Sequence, residues 1–239
     1  MPIREVTDTF NLDDIVPYFQ PIVDLENQRV WRYECLARLI TQNDKTFLPS
    51  EFLYLLERHN HVHQLTETMF CQSARYFEDV NIPWNINLNA SDLSNDALTS
   101  KLIAHLANYP NASRVSVEVS ASAALSHQSQ LHTFIDRSLH SGLGVFIDNL
   151  GTSPGNIKTL LSMPIRGIKL AGGLIRHYDS QGEVREFVDH VLEMTHERSI
   201  SVVAEHIENE DILEKVRKLP IRYAQGYVFS KPIPAPTKH

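Results

Sequence analysis

The chain has 239 residues, of which 42% are hydrophobic, and a formal net charge of -7. The length fits a single α/β barrel, which runs to about 250 residues, and the composition is that of a globular chain with a sizeable core. The negative charge argues against a nucleic-acid polymer as ligand, because the two polyanions repel each other. A small phosphate ligand, whose charge is met locally, remains compatible with it.

The sequence predicts neither a membrane span nor a signal peptide. No apolar run reaches the roughly 18 residues that span a bilayer, and the N-terminal residues lack the basic and apolar stretches of a signal peptide. Cys35 and Cys71 lie in apolar surroundings, which predicts two buried free thiols and a reducing compartment. We therefore expect a cytoplasmic protein with no membrane span in this chain.

Short apolar segments alternate with longer amphipathic ones along the chain. The short segments predict eight strands, at residues 18–25, 30–39, 84–89, 115–120, 144–150, 167–170, 201–204 and 226–229. Only a short polar turn separates the first two, which predicts an antiparallel hairpin. Apolar residues at helical spacing predict helices around residues 50–56, 61–80, 131–139, 183–197 and 208–219.

This order of elements predicts an α/β fold. Strands interleaved with helices after one opening hairpin indicate a TIM-like (β/α)8 barrel with one antiparallel strand. A single domain over residues 1–239, with its core at about 18–232, is the simplest arrangement.

Seven polar side chains lie within or at the ends of predicted strands: Glu34, Asn87, Glu118, Asp148, Lys169, Glu205 and Gln225. One acid at a strand end is more often a helix cap or a solvated charge. In an α/β barrel, however, the carboxyl ends of the strands surround one site, so the joint placement predicts a shared functional site. Carboxylate and amide oxygens favour a hard divalent cation there.

A series of segments, in matching order and spacing, resembles the EAL family of cyclic di-GMP phosphodiesterases. Each is weak alone, but together they identify the fold over nearly the whole chain. One matches the family's Glu-Ala-Leu-x-Arg signature with Cys for Ala, and another matches Asp-Asp-Phe-Gly-Thr with Asn for the second Asp. The segments are Gln20-Pro21-Ile22-Val23, Glu34-Cys35-Leu36-Ala37-Arg38, Leu48-Pro49-Ser50-Glu51-Phe52, Asn87-Leu88-Asn89, Glu118-Val119-Ser120-Ala121-Ser122, Asp148-Asn149-Leu150-Gly151-Thr152, Ile168-Lys169-Leu170-Ala171, Ala204-Glu205-His206-Ile207-Glu208 and Gln225-Gly226-Tyr227-Val228-Phe229-Ser230-Lys231-Pro232.

The resemblance implies a metal-dependent site for cyclic di-GMP at the carboxyl end of the barrel. Active family members use Mg²⁺ or Mn²⁺ to open one phosphodiester bond, which gives linear pGpG. By resemblance, Lys169 and Glu205 take catalytic roles. The residues implied to hold the first metal are Glu34, Asn87, Glu118 and Asp148. The residues implied to contact the ligand are Gln20, Leu36, Arg38, Glu205 and Gln225.

Several positions depart from the family pattern. Asn149 replaces the acid that holds the second metal, and an amide is neutral and a poorer ligand for Mg²⁺. Ala121 replaces a Glu that fixes the loop presenting the metal-binding acids. Further positions carry Ala for Asp, Gly for Arg, His for Gly and Asn for Ser, at Ala171, Gly172, His206 and Asn89.

These observations leave two hypotheses for the function. The first is a degenerate EAL domain that acts in cyclic di-GMP signalling as a non-hydrolysing or weakly hydrolysing receptor or scaffold. The second is a metal-dependent phosphodiesterase that produces pGpG. Asn149 and Ala121 favour the first, with one Mg²⁺ or Mn²⁺ site kept and the second lost, whereas the retained acids favour the second. For a scaffold, the outer helices are the candidate surface for a protein partner or for a homodimer.

Overall fold

The fold is a ring of mostly parallel strands surrounded by helices. The computed structural model describes residues 11–41, 43–153 and 155–235. Its strands and α-helices, in chain order, are β1 (Ile15–Asp24), β2 (Arg29–Ile40), β3 (Thr46–Phe47), α1 (Pro49–Arg58), α2 (Val62–Phe77), β4 (Trp84–Leu88), α3 (Asp96–Ala107), β5 (Val115–Ser120), α4 (Ala121–Ser126), α5 (Gln128–Ser138), β6 (Gly144–Leu150), α6 (Ile157–Ser162), β7 (Gly167–Leu170), α7 (Gly172–His177), α8 (Gly182–Glu197), β8 (Ser201–Ala204), α9 (Glu210–Arg217), β9 (Tyr223–Gln225) and β10 (Ile233–Pro234).

Eight of these strands close into a barrel. They follow one another as β1-β2-β4-β5-β6-β7-β8-β9, and β9 pairs again with β1. β1 is antiparallel to both of its barrel neighbours, whereas the pairs from β2 to β9 are parallel. The predicted TIM-like barrel with one antiparallel strand is confirmed. Because the seven other strands share a direction, their carboxyl ends meet at one mouth.

The last barrel strand lies earlier than predicted. Residues 226–229 form a turn, and the strand is Tyr223–Gln225. The backbone at Gly226 lies against Ile207, where an added Cβ would come within 2.1 Å of the Ile207 carbonyl oxygen. Val228 N–H donates to that same carbonyl at 3.0 Å. The apolar residues after Gly226 therefore pack around a neighbouring loop instead of extending the sheet.

The core has two parts. The larger part lies between the barrel and its helices and includes the predicted apolar faces of α2 and α8. A smaller cluster consists of Ile22, Phe146 and Val203, with Trp31 and Tyr223 packed against it. Trp31 and Tyr223 stack with their ring centroids 3.7 Å apart. Trp31, Phe146 and Tyr223 lie within the first three residues of their parallel strands, so bulky apolar groups fill this end of the barrel.

Arginines close the amino end of the barrel. Arg166, just before β7, donates to three backbone carbonyls at 2.7–3.0 Å. Arg114, just before β5, donates to the carbonyls of Phe77 and Val80. Arg222, just before β9, donates to Asp24 Oδ2 at 2.7 Å. The guanidinium beside Asp24 holds the pKa of that carboxyl well below its ordinary value. These cations therefore bond to acceptors on several loops.

The two cysteines differ in exposure. Cys35 is buried, as predicted, but Cys71 is partly exposed. It lies on the side of α2 that faces α3, and its Sγ is 3.4 Å from His105 Nε2. The prediction of a second buried thiol was wrong because Cys71 is beside the apolar face of α2 and not within it. None of the described helices is both long and apolar enough to cross a membrane.

Candidate functional site

A buried ammonium group lies at the centre of the carboxyl-end site. Lys169 projects from β7, and its Nζ is 2.6 Å from Glu34 Oε2 on β2 and 2.6 Å from Glu118 Oε2 on β5. Asp148 Oδ1 on β6 is 3.8 Å away. The Lys169 side chain is only 1% exposed. The barrel thus brings together residues from four separate strands, as the sequence predicted.

The Glu34 carboxylate is held by amides on both sides. Its Oε1 accepts a hydrogen bond from Asn87 Nδ2 at 2.9 Å, and its Oε2 accepts one from Gln225 Nε2 at 2.7 Å. Gln225 Nε2 also lies 3.1 Å from Gln20 Oε1, and Gln20 in turn donates to the Ser230 carbonyl at 3.1 Å. This network connects β1, β2, β4 and β9, so the sequence-predicted Gln20, Asn87 and Gln225 all belong to one site.

Acidic side chains outnumber basic ones in this cluster. Burial opposes the charge of Lys169. The carboxylates of Glu118, Glu34, Asp148 and Glu205 favour that charge and raise the pKa of Lys169 well above its ordinary value. Burial favours neutral Glu34, but the Lys169 charge lowers the Glu34 pKa to about 2. Burial and the Glu34 charge raise the pKa of Glu118 to about 8. Burial, followed by the Asp148 charge, also raises the pKa of Glu205.

The donor set fits a hard divalent cation. Asp148 Oδ1 and Glu205 Oε1 are buried and have no hydrogen-bond partner among the described residues. Buried acceptors without a partner are costly, and the acidic groups outnumber the one ammonium group. A cation with oxygen preference would relieve both defects. Within the described ranges, however, no three His, Cys, Asp or Glu side chains are arranged as a formed metal cluster. The ammonium of Lys169 lies between two of the acids.

The site opens into a cavity of about 480 Å³. Its lining includes every residue predicted to contact the ligand: Gln20, Leu36, Arg38, Glu205 and Gln225. Arg38 is 9% exposed, and its Nη1 donates to the Ala37 carbonyl at 2.8 Å. Glu34, Asn87, Asp148 and Lys169 also line the cavity. Glu118 is buried beneath this lining, at 1% exposure.

Asn149 adopts a left-handed backbone conformation, with φ of 54°. Its Nδ2 donates to Asp148 Oδ2 at 3.0 Å. The amide thus satisfies one oxygen of the neighbouring acid and supplies no negative charge of its own. Ala121, the first residue of α4, is 1% exposed and has no polar side-chain atom to bond a loop. Of these two departures from the family pattern, Asn149 lines the cavity, whereas Ala121 is packed in the hydrophobic core at the end of β5.

His206 and Gly172 meet at the rim of the cavity. His206 also has a left-handed backbone, with φ of 58°, a conformation that suits the Gly of the family pattern. Its side chain is 58% exposed, and Nδ1 lies 3.7 Å from Glu205 Oε2. A Cβ added at Gly172 would come within 2.7 Å of His206 Cβ. The two departures are therefore sterically linked, because His206 occupies space beside a residue without a side chain.

Sequence reasoning missed a second row of polar residues deeper in the barrel. Asn85 Nδ2 donates to Glu118 Oε1 at 2.6 Å, and Arg32 Nη1 donates to Asn85 Oδ1 and to Ser116 Oγ. All three lie two residues before a predicted site residue on the same strand. Since side chains in a strand alternate between faces, this spacing could have placed them inside the barrel.

The family of the chain follows from comparison with known proteins. The family model described as EAL domain matches residues 3–232. The chain belongs to the EAL domain family. Two relatives of this domain are the oxygen sensor protein DosP of Escherichia coli (strain K12), 23% identical over 91% of this chain, and the cyclic di-GMP phosphodiesterase RocR of Pseudomonas aeruginosa, 26% identical over 91%. The chain spans 28% of DosP and 57% of RocR.

Solved EAL domains have the same fold. The structure described as PaMucR phosphodiesterase, c-di-GMP complex, superposes with a TM-score of 0.84 and 22% identity, over 93% of each chain. The crystal structure of an EAL domain protein from Listeria monocytogenes EGD-e gives a TM-score of 0.87 and 20% identity, over 98% of this chain and 95% of that one. At this level of identity the likeness establishes the barrel fold of the EAL domain.

Proposed function

We propose that this EAL domain binds cyclic di-GMP together with one divalent cation and hydrolyses it slowly or not at all. The observation that carries the proposal is the pair Asp148 and Asn149, where the amide bonds to the acid in place of a second carboxylate. Removing one carboxylate from a site for two cations leaves their mutual repulsion less opposed. The proposal therefore keeps the first cation site and gives up the second.

Glu34, Asn87, Glu118 and Asp148 would hold the cation through their side-chain oxygens. When bound, such a cation neutralises phosphoryl charge and lowers the pKa of its water. Lys169 supplies a fixed positive charge at the floor of the cavity. Glu205 lines the same cavity beside this cluster.

The ligand would occupy the cavity above this cluster. Arg38 has a planar set of donors that matches a phosphate group, and it is buried in the wall with the Ala37 carbonyl holding one donor. Gln20, Gln225 and Leu36 line the same cavity. The size of the cavity, about 480 Å³, is within the range of ligand pockets. The solved MucR relative, described as a c-di-GMP complex, supports this ligand class.

A metal-dependent phosphodiesterase that produces pGpG is the second candidate, and the retained acids favour it. Lys169 and its carboxylate partners are intact, and four of the strand-end acids remain in the barrel. This candidate differs from the first only in rate. The two are separated by measuring product formation over hours as well as minutes.

Calorimetric titration of cyclic di-GMP in the presence of Ca²⁺ and of Mg²⁺, followed by chromatography of the nucleotide, tests the proposal. We expect binding with both cations and little or no pGpG. Complete conversion to pGpG within minutes at substoichiometric protein would overturn it in favour of an active phosphodiesterase. A folded protein that shows no binding at high micromolar nucleotide would overturn the receptor function and leave a scaffold that works through its outer helices.

A further inference from the structure

The buried acid Glu118 is held from below by an amide. Asn85 Nδ2 on β4 lies 2.6 Å from Glu118 Oε1, and Asn85 itself is 0% exposed. The other carboxylate oxygen, Oε2, is the one that lies 2.6 Å from Lys169 Nζ. One oxygen of Glu118 therefore faces down the barrel and the other faces the site. The amide determines which oxygen remains available to the site.

The orientation of the Asn85 amide is set by Arg32. An amide can present either its oxygen or its NH₂ group to a neighbour, whereas a guanidinium has only donors. Arg32 Nη1 lies against Asn85 and donates to Oδ1. Because that oxygen is taken by a donor, the NH₂ group of Asn85 must point the other way, towards Glu118. Reversing the amide would place two donors against each other and two oxygens against each other.

Arg32 lies outside the cavity but is connected to it. It does not line the cavity, and it is 2% exposed at the amino end of β2. Its guanidinium lies 4.4 Å from the ring centroid of Trp31 and 4.6 Å from that of Phe146. It also shares Ser116 Oγ with Arg166. Aromatic faces and one hydroxyl thus hold this cation in place. Among its neighbours, Asn85 is the one that contacts a residue of the site, Glu118.

We propose that Arg32 and Asn85 are positioning residues for Glu118, in which the guanidinium fixes the amide and the amide fixes the carboxylate that binds the cation. The inference rests on the proposed cation site and adds residues that neither contact the cation nor line the cavity. Groups that orient a metal ligand commonly change metal affinity by about 10–100-fold when removed. The same effect is expected here.

Calorimetric titration of the whole chain with Mn²⁺ alone tests the contacts from Arg32 through Asn85 to Glu118. Asn85→Leu keeps the volume and charge of the side chain but removes both polar contacts, and it should weaken Mn²⁺ binding about 10–100-fold. Arg32→Met should weaken it about tenfold, and Arg32→Lys, which keeps a donor-only cation, should restore most of the affinity. The double variant should be no weaker than Asn85→Leu alone, since both residues act through one contact.

Arg166→Met is the matched control. It also removes one positive charge, here a half-buried one, from the same end of the barrel, and Arg166 bonds to Ser116 but not to Asn85. We expect it to lower the thermal midpoint while leaving Mn²⁺ affinity within about threefold, because the contact from Arg32 that orients the Asn85 amide stays in place. A change in Mn²⁺ affinity as large as that of Arg32→Met would overturn the proposal, since it would reflect charge or general destabilisation.

Nuclear magnetic resonance of the wild-type chain gives a second test that needs no variant. The Asn85 side-chain NH₂ protons should exchange slowly with water and shift when Mg²⁺ is added. Rapid exchange or unchanged shifts on Mg²⁺ binding would overturn the positioning role. If the wild type binds no Mn²⁺ at all, the proposed cation site fails and this inference fails with it. If the wild type binds and Asn85→Leu binds equally well, the positioning role alone fails.

Discussion

The two ends of the barrel carry opposite excess charge. At the amino end, Arg32, Arg114, Arg166 and Arg222 donate to carbonyls, hydroxyls and acids on several loops. At the carboxyl end, four carboxylates surround the single ammonium of Lys169, and buried oxygens of Asp148, Glu205 and Gln225 have no hydrogen-bond partner among the described residues. In the proposed function, the amino end stabilises the fold, whereas the carboxyl end receives a cation that the side chains do not supply.

The largest expected effect comes from removing the central ammonium group. Lys169→Met leaves the Glu34 and Glu118 carboxylates facing each other in a buried site, which should lower the free energy of unfolding by roughly 3–5 kcal/mol. Mg²⁺ should recover much of this loss, because a divalent cation can offset the same acids. Urea unfolding with and without Mg²⁺ measures both quantities.

Arg166→Met provides the comparison from the amino end. It should also destabilise the protein, but Mg²⁺ should not recover the loss, since the contacts of Arg166 are mainly to backbone carbonyls far from the acid cluster. Equal recovery of both variants by Mg²⁺ would show that the two ends do not differ in the way described.

The second prediction concerns restoring the missing acids. Asn149→Asp combined with Ala121→Glu should raise the rate of pGpG formation about a hundredfold, which corresponds to about 2.7 kcal/mol of barrier. The double variant should gain more than the sum of the two single changes, because both act on one site. Chromatography of cyclic di-GMP incubated with Mn²⁺ measures the rates. Strict additivity without a gain in rate would indicate that the main defect lies at Ala171 or His206.

The fold was largely predictable from the sequence, and the reason is visible in particular strands. The segments that carry Glu118 and Asp148 are short and contain several Val, Ile or Phe residues, so both strands could be placed with the bounds that the structure has. The last strand was misplaced because Tyr227, Val228 and Phe229 have strand-like composition, although their backbone turns around Ile207. A contact with a loop that is distant in sequence determines the backbone conformation of that segment. The local sequence pattern does not indicate this contact.

The sequence indicated many of the residues at the site, but not the hydrogen bonds between them. Reasoning from strand ends named Glu34, Asn87, Asp148, Lys169, Glu205 and Gln225, and the resemblance to the EAL family added Gln20, Leu36 and Arg38, all of which line the cavity. It did not find Asn85 or Arg32, because neither lies at a strand end, and it could not show that the amide of Asn149 bonds to Asp148. These features depend on side-chain orientation, which composition and spacing leave undetermined.

The third prediction concerns the ligand. Arg38→Ala should weaken cyclic di-GMP binding at least tenfold, about 1.4 kcal/mol, because charge-assisted bonds to phosphate are worth about 1.5–3 kcal/mol. Calorimetry in Ca²⁺ gives the affinity without turnover. Thermal unfolding of the same sample serves as the control for folding. An unchanged affinity in a folded variant would remove Arg38 from the ligand site.

The smallest effect is expected at the rim of the cavity. His206→Gly should raise the free energy of unfolding by about 1 kcal/mol, since a left-handed backbone is costly for a residue with a side chain. It should also strengthen cyclic di-GMP binding by opening the cavity mouth. Gln28→Gly is the matched control, because Gln28 has a similar φ of 53° in the turn between β1 and β2.

The control variant should gain similar stability without any change in ligand affinity, which chemical unfolding and calorimetry report separately. If both variants leave nucleotide binding unchanged, the ring of His206 does not obstruct the site. If both alter it equally, the effect arises from backbone stability and not from the position of His206.

The number of Mn²⁺ ions bound per chain, measured by calorimetry in the presence of cyclic di-GMP, tests the central claim most directly. Asn149→Asp with Ala121→Glu serves as the comparison and should bind two. The wild-type chain should bind one, since Glu34, Asn87, Glu118 and Asp148 provide one set of oxygen ligands and Asn149 supplies no second acid. Two ions bound to the wild type, or none, would contradict the account.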